Sequence, residues 1–381
     1  MPPTPRQPSR TPVRSSGWTI GRVAGAPVVL APSWLLAAVV LTVMFAPTVR
    51  ARFPQLGGFT YLVALVFVVL LFASVLVHEL AHGLVARSRG QQPREFVLTL
   101  WGGHTSFDGA ASTPLTSALV GIAGPLANLV LAALAWALAQ VVAPASLSAL
   151  ILYAAAFANA FVAGFNLIPG LPLDGGRVLE ALVWAISKDR HRGTIVAGWA
   201  GRVVAVGVLA WALLLPLLQG RSPELFGVVW SALIGAFLWS GATAAVKGGR
   251  SQRAVAGLTV AAVGTPAVAV PHAGTVAQAR AAAAAAGVHE LVVVSPDGRP
   301  AAYVDLAALA AVPAEVAGTT PVTAVAVPLP YGAVVDGART GRALLDDLAR
   351  AGGMSPVVVA VLDGRVQALV RVTDVVAAIR S

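Results

Sequence analysis

The chain has 381 residues, of which 57% are hydrophobic and 11% charged, with a formal net charge of +10 and no cysteine. So little charge cannot cover the surface of a soluble protein of this length, whose charged share is ordinarily about 25%. The absence of cysteine excludes disulfides and thiolate ligands, so any zinc site must be built from His, Asp or Glu.

The positive charge is almost all arginine, with lysine only at Lys188 and Lys247. These residues are scattered between apolar runs rather than gathered into the basic patch that a nucleic-acid partner requires, and no such partner is expected. They follow instead the enrichment of basic residues in the cytoplasmic loops of membrane proteins.

The N-terminal stretch "MPPTPRQPSRTPVRSSGWTIGR" is rich in Pro, Ser and Arg, and residues 1–27 read as a disordered basic terminus. The apolar run at 28–49 is long enough to span a bilayer and lacks the short core and nearby cleavage site of a signal peptide. It reads as a retained helix, the first of six predicted spans; the others are 59–86, 115–143, 146–168, 194–218 and 225–246. Arg6, Arg10, Arg14 and Arg22 favour a cytoplasmic N-terminus. Alternation then places Arg87, Arg89, Arg94, Arg177, Lys188, Arg190, Arg192, Lys247, Arg250 and Arg253 inside, leaving only Arg50, Arg52 and Arg221 outside. The lipid bilayer of a cell membrane is the expected surrounding, with the chain crossing it several times.

The second predicted span ends in "VLVHELAHGLVARSRG". Ionisable side chains are costly at membrane depth and usually mark function there. On a helix, residues four apart return to nearly one face, so His78 and His82 can point two imidazoles at one ion. Glu79 is rotated away from ligation but can reach a metal-bound water, the arrangement of H-E-x-x-H zinc hydrolases.

Next comes "REFVLTLWGGHTSFDGAAS", too short and polar to span yet holding a β-prone run and the pair Gly102-Gly103. Two readings stand: a re-entrant β-hairpin lining a cavity, where irregular backbone is tolerated, or a simple cytoplasmic hairpin.

Tetrahedral zinc catalysis needs a third protein ligand and an open position. The candidate is Asp174 in "FNLIPGLPLDGGRVLEAL", after Pro169 and Pro172 break a span and before Gly175-Gly176 lead into a new helix. Alone, Asp174 reads equally as a ligand or as a residue capping that helix.

Residues 250–381 lose the long apolar runs and repeat internally. An Ala-rich helix leads to "HELVVVSPDGRPAAYVDLAALAAV", and "GRALLDDLARAGG" leads to "SPVVVAVLDGRVQALVRVTDVVAAI". Each copy predicts helix, strand, Asp-Gly turn, strand, helix. The pattern resembles a pair of CBS domains, which often hold an adenine nucleotide between them. That family places a Ser or Thr three residues before an Asp after the second strand. Asp374 fits, but Arg371 stands at the hydroxyl position, and Asp305 and Ala308 take the two places in the first copy. An adenine nucleotide held at Asp374 and a structural or dimerising role, giving a homodimer through the CBS pair, both remain open. The second "HEL", at His289-Glu290-Leu291, lacks a further histidine at helical spacing and reads as coincidence.

HELAH together with N-x-x-P-x-x-P-x-D-G resembles the site-2 protease family of intramembrane zinc metalloproteases. The likeness covers about 28–246, within a protease domain placed at 28–249, and the appended CBS pair at 250–381 resembles one bacterial subgroup. The fold implied is a polytopic α-helical membrane protein of about six transmembrane helices with a re-entrant β-hairpin, plus a cytosolic α/β CBS pair. The resemblance implies one Zn2+ on His78, His82 and Asp174, with Glu79 activating water. It also implies that Asn166 holds the substrate backbone or the oxyanion, and that the substrate is a transmembrane segment of another protein. "GIAGPLANL" matches a G-P-x-x-N motif that places Gly124, Pro125 and Asn128 near the site, though these residues read equally as packing. His104 stands where the family usually has an apolar residue, either as a regulatory fourth ligand or as a water-exposed side chain. Arg202 stands where related proteins often carry glutamine, and reads as a snorkelling cation.

The main rival reading is a transporter or channel gated by cytosolic CBS domains, with HELAH as an ion site. Transport paths usually leave polar groups on several spans, whereas the third and fourth predicted spans hold no charged residue. A catalytically dead scaffold is disfavoured by the intact ligand set and Glu79.

Overall fold

The computed structural model describes residues 16–99, 102–108 and 113–380. The chain divides into two compact units, one reaching to Val246 and the other running from Lys247 to Ser381.

The first unit opens with a hairpin of β1 (Trp18–Val23) and β2 (Ala26–Leu30). This corrects the expectation of disorder through residue 27 and of a helix from residue 28; residues 1–15 lie outside the described residues. Ala24 and Gly25 both take positive φ, 54° and 87°, between paired Val23 and Ala26. That is the two-residue turn whose twist matches antiparallel strands. β2 then pairs in parallel with β3 (Gln92–Thr99) through Val28↔Phe96, Val29↔Val97 and Leu30↔Leu98. Ala26, Val28 and Val29 are buried there, so this apolar run gains more as a strand than as helix.

The predicted first span therefore begins later, as helix α1 (Ser33–Arg52). It packs on α2 (Phe59–Ser88) around Ala37, Ala38, Val68 and Phe72, with Trp34 edge-on to Phe72 at 5.1 Å. β4 (Gly102–Asp108) returns antiparallel to β3 and ends a four-stranded sheet of order β1-β2-β3-β4. The sheet rests on α2 through Phe96, whose ring fills the space that a Cβ on Gly83 would need.

Four more helices follow: α3 (Pro114–Ala139), α4 (Leu147–Asn166), α5 (Asp174–Ser187) and α6 (Arg190–Leu218). A last helix, α7 (Leu225–Ala256), begins in this unit. Their starts are legible: Thr113 accepts from Thr116 N, Ser146 from Ala149 N, and Asp189 from the amides of His191 and Arg192. α1 to α4, α6 and α7 are each long and apolar enough to cross a membrane. They leave large apolar side chains such as Val43, Leu126, Phe157 and Trp211 exposed, which lipid would cover. α5 is short and amphipathic and is not such a helix.

The second unit holds a seven-stranded sheet. A single turn, α8 (Val260–Val263), precedes β5 (Gly264–Pro271), α9 (Val276–Ala286), β6 (Glu290–Val294), β7 (Pro300–Asp305) and α10 (Leu306–Ala310). After α11 (Ala314–Ala317) and a two-residue strand β8 (Val327–Pro328), the plan repeats. The second copy is β9 (Val334–Asp336), α12 (Gly341–Gly352), β10 (Val357–Leu362), β11 (Arg365–Arg371) and α13 (Val372–Arg380). The sheet order is β8-β7-β6-β5-β11-β10-β9. Each repeat thus carries a leading strand, β5 or β9, parallel to the strand after its helix, which the sequence reading left out. β9 has only three residues, too few to register as a pattern of alternation.

Candidate metal centre and active site

α2 carries His78, Glu79 and His82 on its buried side, with 6%, 7% and 4% of their surfaces exposed. The imidazoles are held from behind. His78 Nδ1 lies 2.5 Å from Asn128 Oδ1, and Asn128 Nδ2 donates to Asn159 Oδ1 at 2.8 Å. Asn159 Nδ2 in turn donates to Ala155 O at 2.9 Å. His82 Nδ1 lies 2.5 Å from Val120 O. Because Asn128 Oδ1 and Val120 O can only accept, each Nδ1 carries the proton, and each Nε2 presents a lone pair.

Both lone pairs face Asp174, the first residue of α5. His78 Nε2 and His82 Nε2 lie 3.0 and 3.2 Å from Asp174 Oδ2, and 3.1 Å from one another. Three acceptor atoms converging this closely repel one another unless a cation or proton lies between them. Ligand atoms on a tetrahedral zinc are spaced about 3.3 Å apart. The donor set therefore fits a divalent metal in both chemistry and spacing, and these three residues form the metal-compatible cluster among the described residues.

The broken segment before α5 places Asp174. Leu171 N donates to Ala197 O, Leu173 N to Gly170 O, and Gly176 N to Leu173 O. A Cβ on Gly175 or Gly176 would strike the backbone of Leu167 and Ile168 or of Gly170 and Leu171, so the Gly-Gly pair permits the fold-back. Leu173 is buried against Ala205 and Leu238 of α6 and α7.

Glu79 lies beside the cluster, and β4 covers it. Thr105 Oγ1 donates to Glu79 Oε2 at 2.8 Å, and a Cβ on Gly103 would meet the Glu79 carboxylate. Strand alternation puts Gly103 and Thr105 on one face and His104 on the other. His104 is exposed; it lines the cavity in front of the cluster but is not among the converging ligand atoms. This disfavours a fourth-ligand role.

A cavity of about 370 Å³ opens in front of these groups, lined by His78, Glu79, His82, Gly102, Gly103, His104, Thr105, Asn166, Asp174, Arg177 and apolar residues including Val75, Phe107 and Phe237. Gly102, the first residue of β4, pairs with Thr99 and takes a φ of 113°. Gly124 faces both Nε2 atoms, where a side chain would overlap them. Asn128 stands behind His78, and Pro125 is buried within α3 without lining the cavity. Arg202 hydrogen-bonds Thr243 and lies over the rings of Trp199 and Trp239 at 4.5 and 5.2 Å, so it bridges α6 and α7 rather than snorkelling freely.

Sequence reasoning missed Thr105 and Asn159. The first was signalled by its place two residues after Gly103 in a strand, the second as a polar residue in an otherwise apolar helix. In the second unit Asp374 is exposed in the first turn of α13, and Arg371 pairs with Glu290 of β6. Asp305 caps α10 by accepting from Ala308 N at 2.7 Å.

The sequence profile of Peptidase family M50 matches residues 66–149 and 142–210. A Synechocystis protein named "Putative zinc metalloprotease sll0528" is 37% identical over 235 residues, covering 60% of this chain and 59% of that protein. One from Methanocaldococcus jannaschii, "Putative zinc metalloprotease MJ0611", is 31% identical over 148 residues, covering 34% of this chain and 78% of that protein. The chain thus spans less than two thirds of the length of the first. Among solved structures, a site-2 protease from Methanocaldococcus jannaschii is similar at 25% identity and a TM-score of 0.43, covering 61% of this chain and 95% of that one. The CBS domain of a bacterial CNNM/CorC family Mg2+ transporter is similar at 16% identity and a TM-score of 0.27, covering 39% and 93%.

Proposed function

Since the chain belongs to peptidase family M50, whose relatives bear the names of zinc metalloproteases, we propose that it hydrolyses peptide bonds within transmembrane segments of other membrane proteins. The observation that carries this reading is the convergence of His78, His82 and Asp174 beside Glu79, inside a bundle of helices apolar enough to cross a membrane.

His78 and His82 through Nε2, and Asp174 through Oδ2, would hold one Zn2+. A zinc ion there supplies a Lewis acid and lowers the pKa of a water toward ~7. Glu79 accepts the proton of the attacking water on its carboxylate. It then returns the proton to the amide nitrogen as the C–N bond breaks, leaving a carboxylate and an amine. Thr105 keeps that carboxylate aimed while it changes protonation. Asn166, at the end of α4 and on the cavity wall, donates its side-chain amide to the developing oxyanion.

A helical substrate hides its carbonyls in its own hydrogen bonds, so it must unwind before it is cut. β4 is an edge strand of its sheet. Beside it an unwound segment finds backbone partners by strand addition. In this reading the β3–β4 hairpin is re-entrant, and the N-terminus and CBS pair lie in the cytoplasm, as the arginine distribution favours. The CBS pair serves either to hold an adenine nucleotide or to join two copies of the chain.

The test is cleavage of a single-span reporter by the full chain in liposomes. Two products that are absent with Glu79→Gln or with chelator support the proposal. An intact reporter with zinc-loaded protein contradicts it.

A further inference from the structure

One charged group in the cavity has no part in this chemistry. Arg177 lies three residues after Asp174 on α5, which puts the two on neighbouring parts of one helix face. It lines the same cavity as His78, Glu79 and Asp174 and is its only Lys or Arg among the described residues. Gly121 of α3 admits the stem, since a Cβ there would lie 3.2 Å from Arg177 Cβ. Three other arginines of this unit are engaged: Arg190 with Glu180, Arg192 with Asp189, and Arg202 with Thr243 and two tryptophans. Arg177 has no hydrogen-bond or ion-pair partner among the described residues, although it is half-buried.

A guanidinium in a partly apolar cavity without a counter-ion is a poor arrangement for stability alone. It becomes favourable when an anion arrives, and its planar fork matches a carboxylate in two parallel hydrogen bonds. Glu79 and Asp174 do not meet that need, since neither lies within ion-pair distance. A divalent cation on the cluster would balance both carboxylates and leave Arg177 as the net charge of the cavity.

We propose that Arg177 is a specificity-determining residue that receives a carboxylate of the substrate close to the scissile bond. The inference rests on the protease reading and names what that site selects. Two sources offer this chemistry: the side chain of an Asp or Glu flanking the cut, or the free C-terminus of a segment already clipped. In the first case the enzyme selects transmembrane segments with an acidic residue near the unwound region. In the second it trims remnants.

The experiment measures binding, without turnover. The full chain carrying Glu79→Gln, loaded with zinc, is placed in nanodiscs of phosphatidylcholine. It is titrated with fluorescent single-span peptides broken by a Gly-Pro pair. One series moves a single Asp, or its Asn counterpart, along the positions flanking the break. A second series ends there in an acid or an amide. Expected is one position, or the terminal pair, at which the carboxylate binds at least about tenfold tighter than the amide, as charge-assisted pairs do. Arg177→Gln should bring that ratio close to one, and Arg177→Lys should keep part of it. Which series responds identifies the source.

Peptides that bind with no preference for a carboxylate, or with a preference surviving Arg177→Gln, would overturn the assignment while leaving the protease reading intact. An affinity that instead depends on added anionic lipid would assign Arg177 to a headgroup phosphate and overturn it too. Failure of every peptide to bind would count against the protease reading itself, and the inference would fall with it. If Arg177→Gln does not fold, the wild-type ratio and Arg177→Lys still decide.

Discussion

Thr105 Oγ1 donates to Glu79 Oε2 at 2.8 Å, which ties the hairpin strand to the carboxylate that the proposed chemistry depends on. Glu79 must stay aimed while it takes up and releases a proton, and a hydroxyl suits both states because it can donate or accept. Thr105→Val keeps the shape and removes the bond. Cleavage should fall by roughly 10- to 100-fold, the scale of one charge-assisted hydrogen bond, with zinc content unchanged. Thr105→Ser should restore most of the rate. Comparing turnover with zinc content in the three proteins checks this.

Asn128 should govern the metal rather than the chemistry. Its Oδ1 fixes the proton on His78 Nδ1, and Asn159 fixes Asn128. Loss of such a supporting contact typically weakens a metal site about 10- to 100-fold. Asn128→Ala should do so in a competition titration against a chelator, and Asn159→Ala should have a smaller effect.

The two close-approach glycines should fail differently. A side chain on Gly124 would overlap both Nε2 atoms, so Gly124→Ala should lose zinc. One on Gly103 would displace the Glu79 carboxylate alone, so Gly103→Ala should keep zinc and lose cleavage. Zinc content measured beside activity separates the two.

In the second unit, Arg371 is the partner of Glu290, which is buried and leaves its Oε2 without a hydrogen bond. Arg371→Ala strands that carboxylate and should destabilise the unit by about 1–3 kcal/mol, given the partial exposure of the arginine. Replacing both with apolar residues of similar volume should recover the loss. Thermal melting of the full chain checks both variants.

Much of this arrangement was legible in the sequence, and for identifiable reasons. The long helices announce themselves because lipid-facing and buried positions are both apolar. His78 and His82 announce themselves because ionisable groups four apart in such a helix are costly without a purpose. The hairpin at 18–30 was not legible, because its strands are short and the second runs straight into the apolar stretch of α1. Thr105 was not legible as a partner of Glu79, since their contact spans a loop and depends on strand register. Asp174 could be suspected from the prolines and glycines around it. Its approach to the histidines follows only from how α3, α5 and α6 pack.

The central claim is that His78, His82 and Asp174 bind one metal as a unit. The most direct measurement is elemental analysis of zinc in the full chain, purified without chelator, beside His78→Ala, Asp174→Ala and Glu79→Gln. One zinc per chain is expected in the wild type and in Glu79→Gln, with loss from the other two. A wild type without zinc, or zinc retained in full by Asp174→Ala, would contradict it.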